Sequence, residues 1–545
     1  MKINKVTKRF LLSILVISAL FIIKGKTITA DNECDFFVDN QHAQASDGYL
    51  KEENSQDKPW LTIQRGVNLT AAGETVCIKS GVYNEKVTIQ KSNPQDQWFT
   101  ILSYPDQSAV IDGQGIEFGD SGGLLWIKDS SYIKIAGFKV INSDNAAILV
   151  TDSSYVNLEN NLTRESESSG IGFWQSSHVV AKNNQIINAR NAPYCPTCED
   201  AGGHEESLSV ADTEFFEVAD NELFYDGGFT GYFGDAGIDV KESSRFGKVY
   251  GNYIHDITQD GGIYLDTWDA GLEGRPTLNE VEVYRNLLDS SGIRVGSERG
   301  GTAENIKIYN NIVLRSSFLG IGILRQKDGL RKNILIANNT IYEATGHGGA
   351  GIYIIAKNIE NINIKNNIVA FGWGDWTSEG WSSGHAGQIT LSGSDIADKV
   401  TASNNITFGP DLCSQDYPDC RHLPGINVDP LFAGRTSNNF HLLENSPAID
   451  AGLDLVSEGI TSDYDGNSRP QGSRYDLGAY EFSTVVEPGC GNYNLTGDNT
   501  VDYHDAVLLF QNINTPNLPE ADFNSDGKVN LFDLSKIINC WKIVL

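Results

Sequence analysis

The most regular feature of the chain is a period-two alternation of apolar and polar residues, broken into short runs. From about residue 124 to 408 the runs recur as VNLENN, GKVYGN, VEVYRN, IKIYNN and INIKNN, each closing on one or two asparagines. Alternation over so few residues predicts strands with one buried face. The closing asparagines stand at 161, 184, 221, 252, 286, 311, 339, 367 and 405, at intervals of 23, 37, 31, 34, 25, 28, 28 and 38 residues. The shortest interval is about one coil of a parallel β-solenoid, and the longer ones carry loop insertions. Stacked coils would place Val and Ile inward in rungs. An Asn at the turn can take the left-handed conformation and hydrogen-bond the Asn of the next coil. A second module, a Gly-Ile pair followed by alternation, reads GIDVK at 237–241, GIYLD at 262–266 and GIRVG at 292–296.

Ahead of the repeats, TIQRGVNLTAA is amphipathic and predicts a short helix, and TVCIKSGVYNEKVTI predicts strands. An open stack needs such a helix, because its terminal coil otherwise exposes a raw edge. Composition agrees: 55 Gly and a single Met point to turns and strands and away from a helical bundle. The first 30 residues differ. Lys2, Lys5, Lys8 and Arg9 precede an apolar run from Leu11 to Ile23, and small residues follow near Thr29-Ala30. This is the pattern of a secretory signal peptide, too short for comfortable membrane spanning, and it predicts a secreted, extracellular protein. No later stretch is apolar enough to span a membrane.

Removing residues 1–30 leaves 35 basic against 71 acidic residues, a net charge of −36. Such a chain repels nucleic acid and anionic membranes. It also disfavours polyanionic polysaccharides unless bound cations reverse the local field. The eight cysteines of an exported chain read as disulfides. Local pairing gives 195–198, 413–420 and 490–540, which leaves 34–77. Cys195-x-x-Cys198 reads as a structural staple ahead of half a metal site or a redox pair.

Stacking turns the Gly-Ile modules into a constellation. Equivalent residues of successive coils lie about 4.8 Å apart, and alternate residues share a face. With Ile238, Val240, Ile263, Leu265, Ile293 and Val295 inward, one outward column holds Gly172, Ser209, Asp239, Tyr264, Arg294, Gly322 and Tyr353. The next holds Trp174, Ala211, Lys241, Asp266, Gly296 and Leu324. Asp239 and Asp266 then lie on a diagonal of about 8 Å between backbones. That reaches the roughly 5–9.5 Å separation of a glycosidase carboxylate pair. The plain alternative is a surface salt-bridge ladder with no chemistry. His204, Glu205 and Glu206 beside the preceding rung, Asp260 and Asp269 on the flanking turns, and five tryptophans tip the balance towards a site. Trp174, Trp268, Trp373, Trp376 and Trp381 offer faces on which sugars stack, with His204 as a further substrate contact.

The repeats resemble the right-handed parallel β-helix superfamily that includes pectate lyases and β-helical glycosidases. WLTIQRGVNLTAAGETVCIKSGVYNEKVTI resembles the N-terminal cap of its secreted bacterial members, and DPLF, SPAIDAG and DYDGNSRPQGSRYDLGAYEF their C-terminal cap. The resemblance implies an all-β right-handed parallel β-helix over residues 31–482, with an N-terminal cap at 31–120, coils at 121–428 and a C-terminal cap at 429–482. It allows two chemistries. In the first, Asp239 and Asp266, or one of them with Glu206, serve a glycoside hydrolase, with Lys241, Arg294 and Tyr264 around them. In the second, Lys241 is the base of a uronate lyase, with Ca²⁺ on Asp239, Asp260 and Asp266; DGG at 260–262 resembles the Asp-Gly turn of the lysine-dependent lyases. A non-catalytic carbohydrate-binding or surface protein is the third reading.

After a linker at 483–489, ADFNSDGKVNLFDLSKI places Asp522, Asn524, Asp526, Gly527 and Asp533 at positions 1, 3, 5, 6 and 12 of an EF-hand-type Ca²⁺ loop, with Lys528 also counted among the ligands. Asp replaces the usual Glu at position 12. An earlier copy offers Asn494, Thr496, Asp498 and Asp505, with Asn499 where Gly is expected. Two such loops joined by a short helical segment resemble a type I dockerin over residues 490–545. That implies Ca²⁺ as cofactor and a cohesin-type scaffold or cell-surface protein as partner.

Overall fold

The computed structural model describes residues 34–482, apart from 105–107, 119–121, 191–205, 227–235, 258–260, 298, 317–318, 326, 328, 345–349, 371–388, 393 and 410–419. The signal segment, the dockerin-like loops and every cysteine except Cys34, Cys77 and Cys420 lie outside the described residues. Within them, the strands form three long sheets of 13, 12 and 12 strands. Each sheet joins equivalent strands of successive coils in parallel, and the exception is Cys420–His422, which pairs antiparallel at one end. The expected right-handed parallel β-helix is the observed fold.

Alternation dictates the interior. Inward Val, Ile, Leu and Phe from all three sheets form one continuous core, most of it with no exposure. Each coil thus has an apolar neighbour on both sides and buries side chains worth about 1.5–3 kcal/mol apiece. The helix expected over the first coil is α1, Ile63–Leu69, which buries Ile63, Gly66 and Val67. Thr62 caps it by accepting from Arg65 N at 3.2 Å, and the Glu85 carboxylate accepts from Ile63 N and Gln64 N. Gly66 is required by close approach, since a Cβ there would sit 2.9 Å from the Val38 side chain. Cys34 and Cys77 are joined by a disulfide, the pairing left over by local matching of the others.

The nine closing asparagines form an unbroken ladder. Each Nδ2 donates to the Oδ1 of the next, from Asn161 through to Asn405, at 2.9–3.1 Å. The left-handed conformation belongs instead to the residue before each one: Asn160, Asn183, Asp220, Gly251, Arg285, Asn310, Asn338, Asn366 and Asn404. The Asn-Asn pair therefore divides its labour. The first residue turns the chain, and the second, in ordinary backbone, points its amide into the stack.

The chain separates into two compact units. The described part of the smaller is a hairpin of Phe432–Gly434 and Asn439–Leu442. The larger comprises the β-helix and residues Asn445–Glu481. Part of the expected C-terminal cap thus runs along the flank of the coils. Asn404, Asn366, Asn310 and Asn338 donate to the carbonyls of Ala451, Leu453, Ser462 and Asp476, so the turn asparagines anchor this strap. Leu455, Ile460 and Tyr475 pack on Tyr309, Leu335 and Ala337, and the fully buried Arg469–Glu481 pair, at 2.7 Å, locks its end.

The ladder is expected to carry stability that exposed amides do not. Asn286→Ala leaves Asn252 N and Val249 O without their partner, at about 1–3 kcal/mol for each orphaned group. Asn363→Ala, on the partly exposed outer face, should cost about 0.5 kcal/mol. Thermal unfolding midpoints of the two variants test the contrast.

Candidate active site

Five strands of one sheet position the constellation: β1 (Ile171–Trp174), β2 (Leu208–Ala211), β3 (Ile238–Lys241), β4 (Ile263–Asp266) and β5 (Ile293–Gly296). Their register follows the expected columns. Gly172, Ser209, Asp239, Tyr264 and Arg294 are successive partners, as are Trp174, Ala211, Lys241, Asp266 and Gly296. The Gly-Ile pairs set this register. A Cβ at Gly237 would lie 2.7 Å from the Gly262 carbonyl, so successive coils can close only over glycine.

The columns face away from the coil interior, yet they are not a surface ladder. Asp239 is 1% exposed, Asp266 4% and Glu206 6%, and Tyr264 is also buried. Lys241 Nζ lies 2.9 Å from Glu206 Oε2 and 3.8 Å from Asp239 Oδ2. Asp239 Oδ1 has no hydrogen-bond partner among the described residues. Burial, followed by the charge of Glu206, pushes the Asp239 carboxyl well above the usual carboxylate range; Lys241 pulls the other way and Asp266 adds to the rise. Asp266 sits differently, its Oδ1 accepting from Trp268 N at 2.9 Å. Two carboxylates on neighbouring strands therefore have unlike surroundings, the arrangement that separates an acid from a base.

The structure brings Asp239, Lys241, Glu206, Tyr264 and Asp266 together, with Arg294 beside Tyr264 and its side chain over Gly261. Asp269 does not join them. It pairs at 3.0 Å with Arg275, which also holds Asp212 and Glu242. Trp174 and Trp268 are half-buried, and the Arg299 guanidinium lies 4.6 Å from the Trp268 ring centre. An open cavity of about 470 Å³ beside this turn is lined by Asp269, Leu272, Glu273, Arg275, Arg299 and Lys327. His204, Glu205, Asp260, Trp373, Trp376 and Trp381 lie outside the described residues. Among the described residues no three acidic, His or Cys side chains converge on a metal position. Of the three carboxylates expected to hold Ca²⁺, Asp239 lies 3.8 Å from the Lys241 ammonium and Asp260 lies outside the described residues.

The fold and site define a right-handed parallel β-helix with a buried carboxylate–lysine cluster on one sheet. Residues 42–262 match a family model described as the Pel9A-like right-handed β-helix region. That match takes in Glu206, Asp239 and Lys241 and stops before Asp266. The chain is 25% identical over 358 residues to the uncharacterised protein YwoF of Bacillus subtilis (strain 168), covering 60% of this chain and 73% of that one. Among solved structures it is similar to XylC, determined in complex with xylose, at 13% identity and a TM-score of 0.50, covering 82% of this chain and 98% of the other. Pectate lyase Pel9A aligns at 15% identity and a TM-score of 0.43, over 83% and 98%.

The raised Asp239 carboxyl has a stability consequence. Its folded value lies above its unfolded one, so its contribution is fully present below the usual carboxylate range and is lost as pH rises towards the folded value. Asp239→Asn should therefore melt at a higher temperature than wild type at pH 8, with the gap closing near pH 4. Melting curves across that range check the sign.

Proposed function

We propose that the protein is a glycoside hydrolase acting on a polysaccharide. The observation that carries this is the unlike surroundings of two carboxylates: Asp239 is dry and crowded by acidic neighbours, and Asp266 accepts a backbone hydrogen bond. Asp239 then enters as the general acid, giving its proton to the leaving glycosidic oxygen. Asp266 is the general base or nucleophile. Lys241 compensates the charge of Glu206, which otherwise adds a further anion beside Asp239. Arg294 and Tyr264 line the same patch, and Trp268 carries the N–H that orients Asp266.

A uronate lyase is the second reading, favoured by the match to the Pel9A-like region. It requires Lys241 to act as a base freed from its ion pair with Glu206, which lies 2.9 Å away. Hydrolysis is therefore the better account of these side chains. Export directed by residues 1–30, Ca²⁺ on the 494–505 and 522–533 loops, and a cohesin-type partner for residues 490–545 complete the proposal. All three rest on the sequence.

A panel of neutral and uronate polysaccharides, read for both new reducing ends and near-ultraviolet absorbance, separates the readings. Hydrolysis gives reducing ends without absorbance, and unsaturated products would establish the lyase. Asp239→Asn and Asp266→Asn should each lower turnover at least about 100-fold; full activity in both would remove the site. For the C-terminal module, Asp522→Ala with Asp533→Ala should abolish Ca²⁺ binding by calorimetry and, with it, capture by a cohesin domain.

A further inference from the structure

One charged side chain breaks the apolar pattern of the core. Arg331 opens the strand Arg331–Ala337 in a column whose other members are Leu278, Ala303 and Ile359. It is 0% exposed, like each of those neighbours. A guanidinium in such a place is costly unless something answers it. Its Nη1 donates to the Gly301 carbonyl at 2.8 Å and the Leu330 carbonyl at 3.1 Å, while Nε and Nη2 have no partner among the described residues.

The bond to Gly301 leads directly to the site. Gly301 N donates to the Trp268 carbonyl at 2.8 Å, and Trp268 N donates to Asp266 Oδ1 at 2.9 Å. Gly301 is pressed so closely on this turn that a Cβ would stand 2.4 Å from Thr267 O and 2.6 Å from Trp268 O. Ser297 Oγ braces the same junction, donating to Trp268 O at 2.9 Å and accepting from Gly301 N at 2.8 Å. Three hydrogen bonds thus connect a cation inside the coil to a carboxylate outside it.

We propose that Arg331 is a positioning residue for Asp266, holding the 267–270 turn from inside the coil so that the Trp268 N–H stays aimed at the carboxylate. Burial draws the guanidinium down to about 10, and Tyr264 and Asp266 are the groups that support its charge. Among the described residues, the other charged groups around Asp266 are Lys241 and Asp239 on the adjoining strand, Glu206 beyond it, and Arg294 on the far side. None of these sits inside the coil.

The proposal rests on Asp266 acting as base or nucleophile, and two measurements keep the two claims separable. On the full chain, Arg331→Met should lower kcat about tenfold or more and move the acidic limb of the pH–rate profile towards neutral by about half to one pH unit. Arg331→Lys, which keeps the charge, should restore the limb. A wild-type profile in Arg331→Met, even with a lower melting point, would overturn the proposal. The second measurement needs no turnover and serves if Arg331→Met does not fold. Asp266→Asn removes a carboxylate whose charge supports the buried guanidinium, so its melting temperature at pH 7 should fall, opposite in sign to Asp239→Asn. An unchanged or raised value would sink the coupling, while absence of turnover by wild type on every glycan would sink the hydrolase reading alone.

Discussion

The structure depends on a buried amide that must find its partner one coil away. A side-chain amide away from water is costly unless its donors and acceptor are met. From Asn161 to Asn367 each is met by the next asparagine and by a backbone carbonyl of the equivalent strand one coil back. Slipping a coil by one residue would break the ladder and turn every inward Ile or Val to the outside. Polar ladder and apolar rungs thus enforce one register. Loops between coils can vary from none to more than a dozen residues without disturbing it, which is why the asparagine intervals range from 23 to 38.

A fixed register makes function a matter of columns. Once Gly237, Gly262 and Gly292 close successive coils, Asp239 must neighbour Tyr264, and Lys241 must neighbour Asp266. The backbone spends no further specificity on the site. What differs from one coil to the next is the side chain offered, and three consecutive coils offer ionisable groups where the two coils before them offer Gly, Ser, Ala and Trp. Rigid stacked strands also hold such groups more exactly than loops do.

Period and repetition were enough to read a parallel β-solenoid, its capping helix, the columns and the existence of the ladder, and the family resemblance supplied the right-handed β-helix. The first four follow from local alternation plus a repeat interval. Three features were not legible, each for a physical reason. The burial of Asp239 and Asp266 depends on what lies above a strand, and period two says only which way a side chain points. The split between a left-handed turn residue and a stacking Asn needs backbone angles, since either residue of an Asn-Asn pair could have served. The strap at Asn445–Glu481 is bound largely through carbonyl groups, which carry no residue signature. The tie of Asp269 to Arg275, with Asp212 and Glu242, joins residues far apart in sequence and belongs to the same class.

Arg331 was legible in principle. Aligning the strands on their asparagines puts it among Leu278, Ala303 and Ile359, and a lone charge in that column is a conflict between residue type and place. Sequences resolve most such conflicts in favour of packing, and those that persist gather near function. Here the conflict falls two coils on from the one that carries Asp266, and not at the distant ends of the stack, where a charge could reach water more easily. A solenoid core is repetitive enough that an apolar residue would serve at this rung as it does at the neighbouring ones. That the chain keeps a guanidinium there, and spends hydrogen bonds from Gly301 and Ser297 to connect it to the Trp268 turn, is better explained by the carboxylate than by the core.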